Sequence, residues 1–260
     1  MSSYWVAFFL IGFIAASFMY AVALRLRTMA VVDLVWSLGM GFAAIAYVIN
    51  YDLYHARAFL VVGVLLIWSL RLSYYLLKNR VLSGHEDPRY AYLAKYWGPR
   101  SRRNFLGLFL VQILFVALFL LPVAAAMRHT QPLNWLDTLG LIIAVIALAG
   151  ETIADRQLAA FRKCAIHSNQ VCQHGLWRYS RHPNYFFEWV HWWAYVAFAW
   201  SSSISWVTLI GPVAMYLFLR YLTGIPHAER SSLLSRGDAY RQYQQTTPAF
   251  FLWFPRIPKN

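Results

Sequence analysis

Charge is scarce in this chain, and acidic charge scarcest: 13% of its 260 residues are charged, with 10 Asp or Glu against 23 Lys or Arg. So little charge beside 60% hydrophobic residues excludes an ordinary water-soluble globule. Cysteine is nearly missing too. Cys164 and Cys172 are the two present; both fall in a loop read below as cytoplasmic, where thiols stay reduced. There is no CxxC or matched His pair and the eight histidines are scattered, so no metal site is expected. No internal repeat, low-complexity tract or linker marks a second domain. No stretch interleaves basic and aromatic residues as a nucleic-acid module would. The first apolar segment lacks the basic start and cleavage site of a signal peptide, so it reads as a retained helix.

What is abundant is apolar sequence in lengths that match a bilayer, about 18 to 25 residues at 1.5 Å rise each. The expectation is an all-α integral membrane protein, a bundle of about seven transmembrane helices in a single membrane domain. The spans run over about 3–24, 29–50, 58–77, 105–127, 136–154, 183–200 and 204–222, with residues 223–260 as a cytoplasmic amphipathic tail. Basic residues set the orientation, because positive loops stay in the cytoplasm. Seven Lys or Arg lie between Lys78 and Arg103, five between Arg156 and Arg181, and six from Arg220 onward, whereas the alternate loops hold Arg57 and Arg128. That alternation puts the N terminus outside and the C terminus in the cytoplasm. The +13 net charge thus reads mostly as topology and contact with anionic membrane lipids, or alternatively as a face for phosphates.

Ionisable side chains at membrane depth are costly and usually face a partner or a site. Asp33 and Arg71 sit at matching depths in the second and third spans and are expected to pair. Glu151 and Asp155 are four apart on one helical face, with Arg156, Arg162 and Lys163 in the loop expected after them. The densest segment runs from His174 to Glu188. Pro183 suits a first helical position, the helix start behind it favours anions, and Asn184 and Glu188 share a face one turn apart. The tail, from His227 through Tyr240 and Tyr243 to the apolar run Phe250–Phe254, reads as an interfacial helix or as a lid over the same polar site.

Ser180-Arg181-His182-Pro183-Asn184-Tyr185 with Glu188 resembles the signature of the steroid 5α-reductase C-terminal domain family. A similar Arg-His-Pro element occurs in isoprenylcysteine and phospholipid methyltransferases. Adding Asp33-Leu-Val-Trp36, Trp68-Ser-Leu-Arg71, Glu86-Asp-Pro-Arg89-Tyr90, Gly175-Leu-Trp177 and Tyr240-Arg-Gln-Tyr243, the chain is similar over most of its length to an uncharacterised bacterial membrane branch of that family. The resemblance implies a seven-helix bundle in which NADPH binds at the cytoplasmic side and a hydrophobic substrate receives hydride. Asn184 and Glu188 would contact the nicotinamide and ribose region, and Asp155, Arg162, Trp177, Arg178, Tyr179 and Arg181 the rest of the cofactor, the arginines on its phosphates. Arg89, Tyr240 and Tyr243 would close the site. Where the reductases use Glu and Tyr to polarise the substrate carbonyl, this chain has Asp33 and Trp68, with Arg71 beside them.

Three functions follow as expectations. The leading one is an NADPH-dependent membrane oxidoreductase acting on a polarised CH–CH double bond of a steroid-like or isoprenoid-like substrate, in the bacterial inner membrane. The second is an S-adenosylmethionine-dependent methyltransferase using the same pocket. The third is a non-catalytic lipid-binding protein. The cations Arg162, Lys163, Arg178 and Arg181 favour the phosphate-bearing cofactor.

Overall fold

Backbone in hydrocarbon must bond to itself, and helices are the local solution. A computed structural model describes residues 2–84, 86–163 and 170–256, and among them the chain forms nine α-helices and no strand. These are α1 (Ser2–Leu26), α2 (Val31–Asn50), α3 (Ala56–Leu76), α4 (Pro88–Trp97), α5 (Ser101–Met127), α6 (Trp135–Lys163), α7 (Pro183–Ala199), α8 (Ile210–Leu217) and α9 (Ile225–Thr246). Turns of π-helix extend α3 over Leu77–Val81 and α8 over Phe218–Leu222. Among the described residues six stretches are long and apolar enough to cross a membrane: Ser3–Leu26, Val31–Asn50, Ala56–Val81, Pro88–Met127, Trp135–Lys163 and Ser205–Thr246. The chain is a multi-pass membrane protein. The remaining expected span, α7, is helical but has 17 residues, about 25 Å of length at the helical rise.

Three expectations need correcting. The α6 helix does not stop near residue 154 but continues to Lys163, so Arg156, Arg162 and Lys163 stand on a helix rather than in a loop. The basic loop after α3 contains α4, started by the Asp87 side chain accepting from Arg89 N at 2.9 Å with Pro88 in the first turn. The tail is not one helix: α9 breaks at Gly237, whose φ of 51° is left-handed, and the chain leaves helix after Thr246. Cys164 lies outside the described residues, while Cys172 is a buried free thiol.

The chain divides into two compact units, Met1–Asn134 with Phe198–Thr208, and Trp135–Ala197 with Leu209–Asn260. In the first, α2 packs against α1, α3 and α5. Val31, Val32, Phe109 and Ile113 are among the buried residues of its core. Hydroxyls stitch α2 to α3: Ser69 Oγ donates to the Ser37 carbonyl at 2.6 Å, and Ser37 Oγ lies 2.8 Å from Ser73 Oγ. At the other end of α3, Arg57 is 1% exposed and donates to the carbonyls of His129, Gln131 and Pro132 at 2.7, 2.5 and 2.9 Å. One guanidinium thereby satisfies three carbonyls where α5 has ended.

In the second unit α6 presents a buried face of small residues, Gly140, Ala144, Ala147, Gly150 and Ala154. At Gly150 α7 approaches closely: a Cβ there would stand 2.4 Å from the Phe187 ring. Gly150→Ala is therefore expected to destabilise the protein by about 1–3 kcal/mol through overpacking, measured as a lower unfolding temperature in detergent. In a Phe187→Leu background that loss should shrink; an equal loss in both backgrounds would show that ring contact is not its cause.

Candidate functional site

The first unit gathers polar groups where α2 begins. Glu86 takes the open start of that helix: its Oε2 accepts from Met29 N at 2.7 Å and its Oε1 from Thr28 Oγ1 at 3.2 Å. Asp33, in the first turn, receives the Tyr90 hydroxyl on Oδ1 at 2.6 Å and the guanidiniums of Arg80 and Arg89 on Oδ2, each at 2.9 Å. The π-helical turn brings Arg80 round, and α4 brings Arg89 and Tyr90. Asp33 thus pairs with Arg80 and Arg89, not with Arg71 as the matching depths had suggested. Arg89 and Arg80 also reach Asp87, at 3.0 and 3.4 Å. Burial by itself would raise the Asp87 carboxyl, but the hydrogen bond and charge of Arg89, with the charge of Arg80, hold it below the ordinary carboxylate range.

Both oxygens of Asp33 accept from aimed donors, so this side chain is placed as an acceptor that locks α2, α4 and the π turn together, and the geometry gives no support to Asp33 as a proton donor. Trp68 is fully buried, its ring edge-on to Trp36 with centroids 5.1 Å apart. Arg71 follows it one turn later on α3 and is half-buried.

The second unit holds the other candidates. The Trp177 indole N–H donates to the Ala154 carbonyl at 2.9 Å, which ties the short 3-10 turn Gly175–Arg178 to α6 beside Asp155. Gly175 makes that turn possible: its φ is 58° and a Cβ would lie 2.3 Å from Gln157 Nε2. The Gln157 Oε1 in turn accepts from Leu176 N at 2.9 Å. The Tyr243 hydroxyl bonds to the Trp177 carbonyl and, at 3.2 Å, to that of Ser180; Tyr240 packs edge-on against Tyr243. These aromatic residues brace the Ser-Arg-His-Pro-Asn segment.

Arg181 is used as a clasp rather than left for phosphate. Its Nε and Nη2 donate to Glu229 Oε1 at 2.7 and 2.6 Å, and its Nη1 to the carbonyls of Gln244 and Thr247 at 3.1 and 2.5 Å. Gln244 Nε2 donates to the second oxygen of Glu229 at 2.9 Å. In the sequence Glu229 stands out only as part of the tail, and Gln157 and Gln244 do not stand out at all; partners this far apart in the chain leave no local pattern to find them by.

The Asn184 side chain is incompletely bonded. Asn184 Nδ2 donates to Asp155 Oδ1 at 3.3 Å, while its carbonyl oxygen is buried and accepts no hydrogen bond among the described residues. Asp155, Glu151 and Glu188 are 6%, 5% and 7% exposed. Arg162 and Arg178 are exposed, and neither makes an ion pair among the described residues. The Tyr179 carbonyl accepts from Trp253 N at 2.9 Å, and its ring stands edge-on to Phe254.

His182 is buried, stacked on Tyr185 with ring centroids 5.3 Å apart, and its Nε2 is 3.4 Å from Glu229 Oε1. Burial pushes its pKa down, the Glu229 carboxylate opposes that, and the charges of Arg181 and Arg220 push it down further. The unfolded chain then binds the proton more readily, so the contribution to stability is complete above the ordinary histidine value and is lost as pH falls below it. The unfolding temperature is expected to drop between about pH 7 and pH 5, and His182→Gln to flatten that drop; an unchanged slope in the variant would assign it to other groups.

The family model described as "Protein of unknown function (DUF1295)" matches residues 19–247. A Schizosaccharomyces pombe protein described as uncharacterised is 24% identical over 281 residues, which cover 95% of this chain and 78% of the relative. No solved structure matches. With most of its length under that one family model, from the middle of α1 to the end of α9, the chain belongs to the DUF1295 family.

Proposed function

We propose that this chain is an NADPH-dependent membrane reductase of the steroid 5α-reductase-like kind, transferring hydride to a polarised double bond of a hydrophobic substrate. The observation that carries the reading is the buried, unbonded carbonyl oxygen of Asn184 beside Asp155. A buried acceptor left without a donor costs about 1–3 kcal/mol, and a carboxamide N–H or a ribose hydroxyl would satisfy it. NADPH supplies the hydride; the protein's part is to bind, orient and exclude water. Asn184 would accept from the cofactor while its amide group stays anchored on Asp155, and Glu188, one turn further along α7, would accept from a second hydroxyl. Arg162 and Arg178 would take phosphate groups, for which exposed guanidiniums suit charge-assisted bonds. Lipid would bring the substrate, and the basic loops support an N terminus outside and a cytoplasmic cofactor side.

Arg181 weakens one argument for a phosphate-bearing cofactor, because Glu229 and two carbonyls already hold its guanidinium. That observation keeps the S-adenosylmethionine-dependent methyltransferase as the second reading. The two separate in a thermal titration of detergent-purified protein with NADPH, NADH and S-adenosylmethionine. A ligand at 100 times its Kd stabilises the folded state by about 2.7 kcal/mol. NADPH is expected to raise the unfolding temperature, and Asn184→Ala to abolish the rise. Arg162→Gln with Arg178→Gln should weaken NADPH by about tenfold or more, given about 1.5–3 kcal/mol for a hydrogen bond to a charged group. A response to S-adenosylmethionine alone would replace this reading with the methyltransferase, and no response to any of the three would leave a non-catalytic lipid-binding protein.

A further inference from the structure

After Thr246 the chain forms a strap, residues 247–256, that doubles back along the segment before α7. Backbone and side-chain hydrogen bonds fasten it there: Arg181 N donates to the Pro248 carbonyl at 2.9 Å, Ser180 Oγ to the Phe250 carbonyl at 2.9 Å, Trp253 N to the Tyr179 carbonyl at 2.9 Å, and Arg256 N to the Thr246 carbonyl at 2.7 Å. The strap has two faces. Phe250 is 3% exposed and enters an aromatic cluster, 5.8 Å from Trp189 in the second turn of α7 and 5.1 Å from Tyr216 near the end of α8. Phe251 lies at the rim of the same cluster, 5.8 Å from Trp189 and 6.1 Å from Tyr216, and is 49% exposed, while Trp253 and Phe254 face outward at 70% and 73%.

Water is a poor solvent for three large aromatics held in a fixed row, and the strap's position names a better one. It rests on the end of α8 and the start of α7. Leu217, Tyr221 and Leu222 of α8 and its π turn are exposed as well, so the outward aromatics continue an exposed apolar surface. Arg256, at the end of the strap, is exposed too. Aromatic rings and a guanidinium beside an apolar surface match the headgroup layer, where rings take the glycerol region and cations the phosphates. A second copy of this strap would bring like charges together, whereas an anionic monolayer complements them.

We propose that the strap is a membrane-interface anchor that binds anionic phospholipid: Phe251, Trp253 and Phe254 enter the headgroup layer, and Arg256 contacts lipid phosphate. Because the strap's carbonyls accept from Ser180 and Arg181, seating it on lipid also steadies the segment that leads into Asn184. The inference stands on the strap alone and does not require that NADPH bind.

The test uses the full chain, labelled with 5-fluorotryptophan, in nanodiscs of phosphatidylcholine with or without phosphatidylglycerol. Trp253→Phe identifies the Trp253 line in the fluorine spectrum without removing an aromatic ring. A gadolinium-bearing headgroup lipid is expected to broaden that line away, while a water-soluble gadolinium chelate leaves it; the reverse pattern overturns the anchor. In the Arg256→Gln protein, the extra broadening by labelled phosphatidylglycerol over labelled phosphatidylcholine should fall about fivefold, from roughly 1 kcal/mol per basic residue at an anionic surface. Equal broadening by both lipids in the unaltered protein overturns the assignment to anionic lipid.

Discussion

Hydrocarbon offers a polar atom no water, so each one that folding buries must find its partner in the protein. That constraint orders most of the chemistry in this chain. Arg57 is sequestered and gives its protons to three carbonyls at the end of α5. Asp33 is half-buried and receives Arg80, Arg89 and Tyr90. Arg181 joins Glu229 and two carbonyls at the end of α9. In each case a charged residue placed among apolar ones ties together stretches of chain far apart in sequence, and the architecture of each unit follows from those ties as much as from apolar packing.

The same constraint changes what the charged residues of the recurring motifs are for. In Glu86-Asp-Pro-Arg89-Tyr90, Glu86 satisfies the start of α2, Asp87 starts α4, Pro88 suits its first turn, and Arg89 and Tyr90 bind Asp33. Every member of the motif has a structural partner. Ser180 and Arg181 likewise hold the strap and α9. Asn184 differs, because one end of its amide is bonded and the other is buried without a donor. Within this network, an unmet need is more informative about a ligand than an abundance of charge.

The helices were legible in the sequence because apolar runs of bilayer length carry a strong, local signal. Their ends were less so. The α6 helix outlasts its apolar part by nearly three turns, since Arg156, Gln157 and Arg162 favour helix as readily as the residues before them, and an apolar-run criterion stops too early. The α4 helix was hidden in a basic loop although Asp87-Pro88 is a good helix start. The site was legible as a set of types: Asp155, Asn184, Trp177 and Tyr243 do lie within one compact unit. Their pairings were not, because Arg181 and Glu229 are 48 residues apart and only the fold brings them into contact.

On α7 the spacing itself carries an argument that type alone does not. Asn184, Glu188, His191 and Tyr195 are separated by four, three and four residues, so all four lie along one face. His191 and Tyr195 are fully buried, with His191 Nε2 2.9 Å from the Tyr195 hydroxyl. From Pro183 to Tyr195 the helix rises about 18 Å, so this polar face runs well past the headgroup level. A helix selected only to fill a bundle would place apolar side chains there, as α1 does over most of its length. Each of these side chains adds a desolvation cost, which the bond between His191 and Tyr195 offsets for that pair. The polar face begins at Asn184, whose carbonyl oxygen meets no donor among the described residues, and so α7 joins the candidate site to the interior of its unit by a line of groups able to form hydrogen bonds.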